Sequence, residues 1–261
     1  MDDTGVDQRR RPSLRRVFAS KEKPSPDAMT LAEHLAELRH RLIVCAAVYL
    51  AAGTLAFIFY SLILRFLKAP YCQIEPKNHC YLYVTSPLDG LSLRIKLAAF
   101  GGLVLAAPVI LYQLWRFITP GLRTNERRYA VPFVVASMVL FLTGCAIAYL
   151  TLPHALGFLK AVGGPGLMTI YNPNSYLNLV LLMMVLFGVT FLFPVVLVSL
   201  ELARVVTPAQ LLHWWRWAVI GITLVAAIFT PSSDPFSMLA MAVPLVAFYF
   251  LSILVGKLFG R

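Results

Sequence analysis

Chemistry in this chain rests on few side chains. Only 12 of its 261 residues are Asp or Glu, and several of these stand where a helix would begin. Thr30 with Glu33 has capping-box spacing. Glu37 lies four residues before Arg41, the spacing of an ion pair on one helix face. Glu126 follows Asn125, which reads as an N-cap with an acid in the first turn, favoured by the helix dipole. Asp234 precedes Pro235, an N-cap followed by proline at the first helical position. Each acid therefore has a structural explanation, and the residues alone leave open whether any of them also binds something. Catalytic patterns are missing: no metalloprotease His-Glu pair, no nucleophile elbow, no phosphate-binding glycine loop. We expect no enzymatic activity, no metal and no cofactor. Among the four cysteines, Cys72 and Cys80 share one polar loop and are expected to be bonded to each other if that loop faces an oxidising compartment. Cys45 and Cys145 fall in apolar runs and read as packing residues.

The elements that position these groups are apolar. Hydrophobic residues make up 59% of the chain and charged residues 13%, against about a quarter charged in soluble proteins. Six runs approach the roughly 20 residues needed to cross about 30 Å of hydrocarbon: residues 42–64, 95–118, 129–152, 176–203, 217–229 and 236–256. The fifth is short and must draw in flanking residues or sit in thinned bilayer. The expected fold is all-α, six transmembrane helices kinked by prolines into a curved, concave wall. Residues 1–28 read as a basic, disordered tail, 29–256 as one membrane domain and 257–261 as a short C-terminus. The net charge of +11 is distributed as topology rather than as a nucleic-acid surface. With the tail in the cytoplasm, 17 Lys and Arg fall on that side and six on the other, which places both termini in the cytoplasm of a plasma-membrane protein. Trp115, Trp214, Trp215 and Trp217 all fall at cytoplasmic ends, as an interfacial belt would. Arg15-Arg16 in the tail is not an export signal, because no short apolar region follows it directly; a basic arm near anionic lipid explains it.

Leu31, Leu35, Leu38 and Leu42 recur at helical spacing, which predicts an amphipathic helix lying on the cytoplasmic interface before the first span. Pro108, Pro132, Pro194 and Pro244 fall in or near the start of four spans and each removes a backbone hydrogen bond. Gly101, Gly102, Gly144 and Gly188 allow close helix contact. Glu201 is the single acid within an expected span, near its cytoplasmic end. Ion-coupled transporters carry ionisable groups near the midplane. A small-solute transporter or channel, the rival reading, would need such a group or a pocket built from broken helices.

These segments, taken in order, resemble the TatC family of twin-arginine translocase core subunits. The match is carried by His34-Leu35-Ala36-Glu37-Leu38-Arg39-His40-Arg41-Leu42 before the first span. It continues through Ala107-Pro108-Val109-Ile110-Leu111-Tyr112-Gln113-Leu114-Trp115-Arg116-Phe117-Ile118-Thr119-Pro120-Gly121-Leu122, closing on Glu126-Arg127-Arg128. Ser86-Pro87, Phe187-Gly188 with Pro194, and Phe229-Thr230-Pro231 with Asp234 and Phe236-Ser237 extend it over about residues 29–256. The resemblance implies a protein that binds signal peptides of folded cargo bearing consecutive arginines. It also implies assembly with TatA- and TatB-type single-span subunits, as a homo-oligomer within a larger complex. Glu37 and Glu126 match acids implicated in reading the arginine pair; Trp115 and Phe117 match positions near that site, and Arg39 and Arg41 match the tail motif. Pro70 matches an outer-loop proline important for function. Two positions depart from the family pattern: Leu192 stands where a Glu is usual, and Met238 where many members carry Gln. Both replace polar groups at the place where the resemblance puts contact with single-span partners.

Overall fold

The computed structural model describes residues 31–74, 82–118, 130–164, 172–202, 205–232 and 234–259. The tail through residue 28, the Thr30–Glu33 cap, Cys80, Asn125 and Glu126 are expectations that lie outside the described residues. Nine helices follow one another along the described chain: α1 Leu31–Ile58, α2 Tyr60–Ile74, α3 Asp89–Ile118, α4 Ala130–Val162, α5 Pro173–Thr190, α6 Phe193–Leu202, α7 Pro208–His213, α8 Trp215–Phe229 and α9 Pro235–Phe259. The spans expected from hydropathy correspond to α1, α3, α4, the α5–α6 pair, α8 and α9. Five of these are long and apolar enough to cross a membrane, and α8 is the shorter sixth. At 1.5 Å per residue its 15 residues rise about 22 Å, less than the hydrocarbon thickness.

The start of α1 differs from expectation. The amphipathic stretch is not a separate interfacial helix; it runs without a break into the first span. No proline or glycine interrupts it before Gly53, so nothing turns the chain at the interface. Leu35, Leu38 and Leu42 are exposed, and this stripe faces away from the protein. The span also ends earlier, at Ile58, where a turn at Phe59 hands the chain to α2.

The α5–α6 break has a local cause. Pro194 has no N–H to give Thr190, the residue four before it, and its ring crowds that carbonyl. The ladder accordingly tightens ahead of it: Leu192 N–H donates to the Val189 carbonyl at 3.0 Å and Val195 N–H to Leu192 at 3.1 Å. Pro108 and Pro244 lie inside continuous helices, as does Pro153, which the sequence reading did not single out.

Between helices in lipid, association rests on close packing rather than on water exclusion. Glycines permit it here. A Cβ on Gly102 of α3 would stand 2.8 Å from the Gly53 Cα of α1, and one on Gly144 of α4 would stand 2.6 Å from the Phe187 carbonyl oxygen of α5. Tyr176, Met183, Phe187 and Phe191 fill the centre with Leu152, Met241 and Leu245, drawing α4, α5 and α9 into one core.

Candidate functional site

The expected site begins with α1 laid along α3. Arg41 turns inward and is buried, 8% exposed. Its Nε donates to Glu37 Oε1 at 3.2 Å, and its Nη2 donates to the same oxygen. Its Nη1 donates to the main-chain carbonyl of Gln113 at 3.4 Å. The i,i+4 spacing thus makes the ion pair that helix geometry dictates, and the guanidinium fork adds an anchor to α3 that an ammonium could not supply together with the carboxylate contact. Glu37 is left half-buried and Arg39 exposed. Arg41 is a positioning residue: it holds the Glu37 carboxylate against the end of α3.

Two residues after Gln113 the same helix turns its other face to α4. Trp115 is 4% exposed; its Nε1 donates to Ser137 Oγ at 2.8 Å and its ring packs on Phe133 with centroids 4.9 Å apart. This corrects the interfacial-belt reading of Trp115, since a tryptophan near a span end reads alike in sequence whether it faces headgroups or a neighbouring helix. Trp214, Trp215 and Trp217 are exposed as a belt requires. Phe117 is half-buried near the end of α3. Glu126 belongs to the segment joining α3 to α4. The Gln113 end of α3, which precedes Glu126 in sequence, meets the Glu37 end of α1.

The opposite end of α3 carries a network that sequence reasoning missed. Asp89 Oδ2 accepts from the Ser86 N–H at 2.9 Å, the Thr85 N–H at 3.1 Å and Asn172 Nδ2 at 3.1 Å; Oδ1 accepts from Asn174 Nδ2 at 2.8 Å. Ser92 Oγ donates to Asn174 Oδ1 at 2.6 Å. Asp89 thereby closes the turn that enters α3 and ties it to the start of α5. The Ser86-x-x-Asp89 spacing was a usable local signal; the asparagines, more than 80 residues away, were not.

Pro70 is buried inside α2. Lacking an N–H, it cannot serve the carbonyl of Phe66, and the Tyr149 hydroxyl of α4 donates to that oxygen at 3.0 Å, its ring stacked on Phe66 at 4.5 Å. One residue on, the Tyr176 hydroxyl donates to the Leu67 carbonyl at 2.7 Å. Cys72, at the end of α2, is disulfide-bonded, whereas Cys45 and Cys145 are free. Asp234 is 1% exposed and caps α9 as expected: Oδ2 accepts from the Ser237 N–H at 2.7 Å and Oδ1 from the Ser232 hydroxyl. Leu192 and Met238 are half-buried and pack against the core. Among the described residues, no group of three or more His, Cys, Asp or Glu could hold a metal ion.

With this geometry in place, the chain can be set beside known proteins. Residues 33–244 match the family model described as TatC, Sec-independent protein translocase protein. A protein of Frankia casuarinae named Sec-independent protein translocase protein TatC is 41% identical over 243 residues, covering 89% of this chain and 67% of its own length. Its namesake from Aquifex aeolicus is 38% identical over 236 residues, covering 89% of this chain and 97% of its own. A crystal structure titled as the twin arginine translocase receptor TatC superposes with a TM-score of 0.71 at 37% identity, over 88% of this chain and all of the other.

Proposed function

Since the chain belongs to the TatC family of Sec-independent protein translocase proteins, we propose that it reads the arginine pair of signal peptides at the end of the bundle formed by Glu37. The chain is a multi-span membrane component of that translocase. The reading places this end, with both termini, in the cytoplasm, and gives the complex TatA- and TatB-type single-span subunits, signal peptides of folded cargo and further copies of this chain as partners.

One observation carries the proposal: Arg41 pins the Glu37 carboxylate to Gln113 of α3, the helix that precedes Glu126 in sequence. A guanidinium is always charged and meets a carboxylate through two parallel bonds, a fit that lysine cannot copy. An incoming arginine of the same chemistry competes with Arg41 for the Glu37 carboxylate. Each charge-assisted contact contributes about 1.5–3 kcal/mol, and two of them supply much of the ~8 kcal/mol of a micromolar complex. Trp115, locked to Ser137, and Phe117 shape the neighbouring surface, and Arg39 borders it. Leu192 and Met238 present packing surface to single-span partners where the family pattern has polar groups.

The test is photocrosslinking of the full chain to a signal peptide bearing Arg-Arg and to its Lys-Lys counterpart. The Arg-Arg peptide should crosslink more strongly, and Glu37→Ala should remove the difference. Equal crosslinking of both peptides to the wild-type chain would sink the proposal.

A further inference from the structure

Every hydroxyl along the seam between α6 and α9 already has a partner. Ser199 of α6 donates to the Val196 carbonyl at 2.6 Å, Ser252 of α9 to the Tyr249 carbonyl at 2.8 Å, and the Tyr249 hydroxyl to the Leu211 carbonyl of α7 at 2.7 Å. Glu201, near the end of α6, is the exception. It is 7% exposed, and neither carboxyl oxygen has a hydrogen-bond partner among the described residues. The group lies against Gly256 of α9, where a Cβ would overlap Oε2. Glycine at 256 is therefore what lets the seam close over this carboxyl.

No described neighbour balances a charge there. Helix α6 packs on α9 and touches α4. On α9 the titratable groups are Tyr249, whose hydroxyl is committed to Leu211, and Lys257, which is exposed and makes no ion pair with Glu201. On α4 they are Cys145, Tyr149, His154 and Lys160, all in the half that runs toward the Asp89 end. Helix α5 starts at that end, so α6 finishes at the opposite one. His213 of α7 and Arg216 of α8 are exposed. Burying an unpaired carboxylate costs far more than burying the neutral acid, which forfeits only hydrogen bonds. The closed seam therefore suits a carboxyl that carries its proton. Helix α6 is also free to move as a unit: the break at Phe191–Leu192 ahead of Pro194 separates its ten residues from α5, a hinge at one end with Glu201 near the other.

We propose that Glu201 is a proton-binding site that couples proton uptake to closure of α6 on α9. One O–H bond forms on the carboxyl as the seam closes, and the proton returns to water as the seam opens; no other group changes. Linkage fixes the sign, because the closed seam binds the extra proton: closure is favoured as pH falls and lost as pH rises.

The experiment is hydrogen–deuterium exchange of the full chain in detergent, read by mass spectrometry across α6 and corrected for the intrinsic pH dependence of amide exchange. As pH rises past the release of the proton, protection of α6 should fall about tenfold per pH unit, the slope of one proton, while α5 beyond the break keeps its protection. Glu201→Gln, which stays neutral at every pH, should remove the slope. At a pH where α6 is protected, the infrared difference between wild type and Glu201→Gln should show the carbonyl band of one undissociated acid. Should Glu201→Gln fail to fold, Gly256→Ala, whose Cβ takes the place of the carboxyl, should lower α6 protection and flatten its pH dependence. Protection independent of pH in the wild-type chain, the wild-type slope in folded Glu201→Gln or Gly256→Ala, or an infrared difference showing a carboxylate in place of the acid would overturn the site.

Discussion

The two ends of α3 are built differently. At the Asp89 end, one carboxylate accepts from two backbone amides and two asparagines and fastens α3 to α5. Two tyrosine hydroxyls pin α2 to α4 and α5 there. At the Gln113 end, the acid is Glu37, which accepts from the Arg41 guanidinium, itself moored to a main-chain carbonyl. A carboxylate satisfied by amide donors from four residues has its partners fixed by the fold. A carboxylate paired with a cation can exchange it for another of the same kind. The first end is a fastening, and the second is where we propose that an incoming arginine is exchanged against Arg41.

Breaking the fastening should cost stability and leave recognition alone. The largest effect is expected from the disulfide at Cys72, which we propose closes on Cys80. Opening a loop of this length releases chain entropy worth about 2–3 kcal/mol, seen as a lower unfolding midpoint on reduction. Non-reducing peptide mapping should recover residues 72 and 80 in one crosslinked fragment, and two free thiols there would refute the pairing. Asp89→Ala should follow, because it strands the amide donors of Thr85, Ser86, Asn172 and Asn174. Its unfolding midpoint should drop while signal-peptide affinity stays at the wild-type value; a loss of affinity without a drop in midpoint would blur the contrast between the two ends. The smallest is Tyr149→Phe, about 1 kcal/mol for one hydrogen bond. Pro70→Ala gives the Phe66 carbonyl its own helical donor, so the tyrosine substitution should cost less in that background. An unchanged cost would show that the hydroxyl does not serve the carbonyl freed by proline.

Sequence pattern reached some of this and not the rest. Long apolar runs located the spans, because only a helix satisfies its own backbone in lipid, though α1 begins and ends earlier than expected and α4 runs on to Val162. Local chemistry also read well: Asp234 caps α9, Glu37 pairs with Arg41, and the Gly144–Gly188 contact forms as small residues at an interface should. What escaped depends on distant partners. Nothing near Asp89 announces Asn172 or Asn174, and nothing near Pro70 announces that Tyr149 serves the carbonyl it leaves behind. The continuity of α1 was missed because amphipathic periodicity reports a face, not whether the chain bends where the apolar span begins. Trp115 read as interfacial because its position along the helix was clear and its facing was not.

The central proposal is that Glu37 and Glu126 together bind the two guanidinium groups of a signal peptide. The most direct test is the affinity of the full chain for an Arg-Arg signal peptide, with Glu37→Ala, Glu126→Ala and the double variant compared by fluorescence anisotropy. Each single substitution should weaken binding about 10- to 100-fold, as loss of one charge-assisted contact implies, and the double variant should bind Arg-Arg and Lys-Lys peptides alike. Wild-type affinity in both single variants, with unfolding midpoints unchanged, would contradict it.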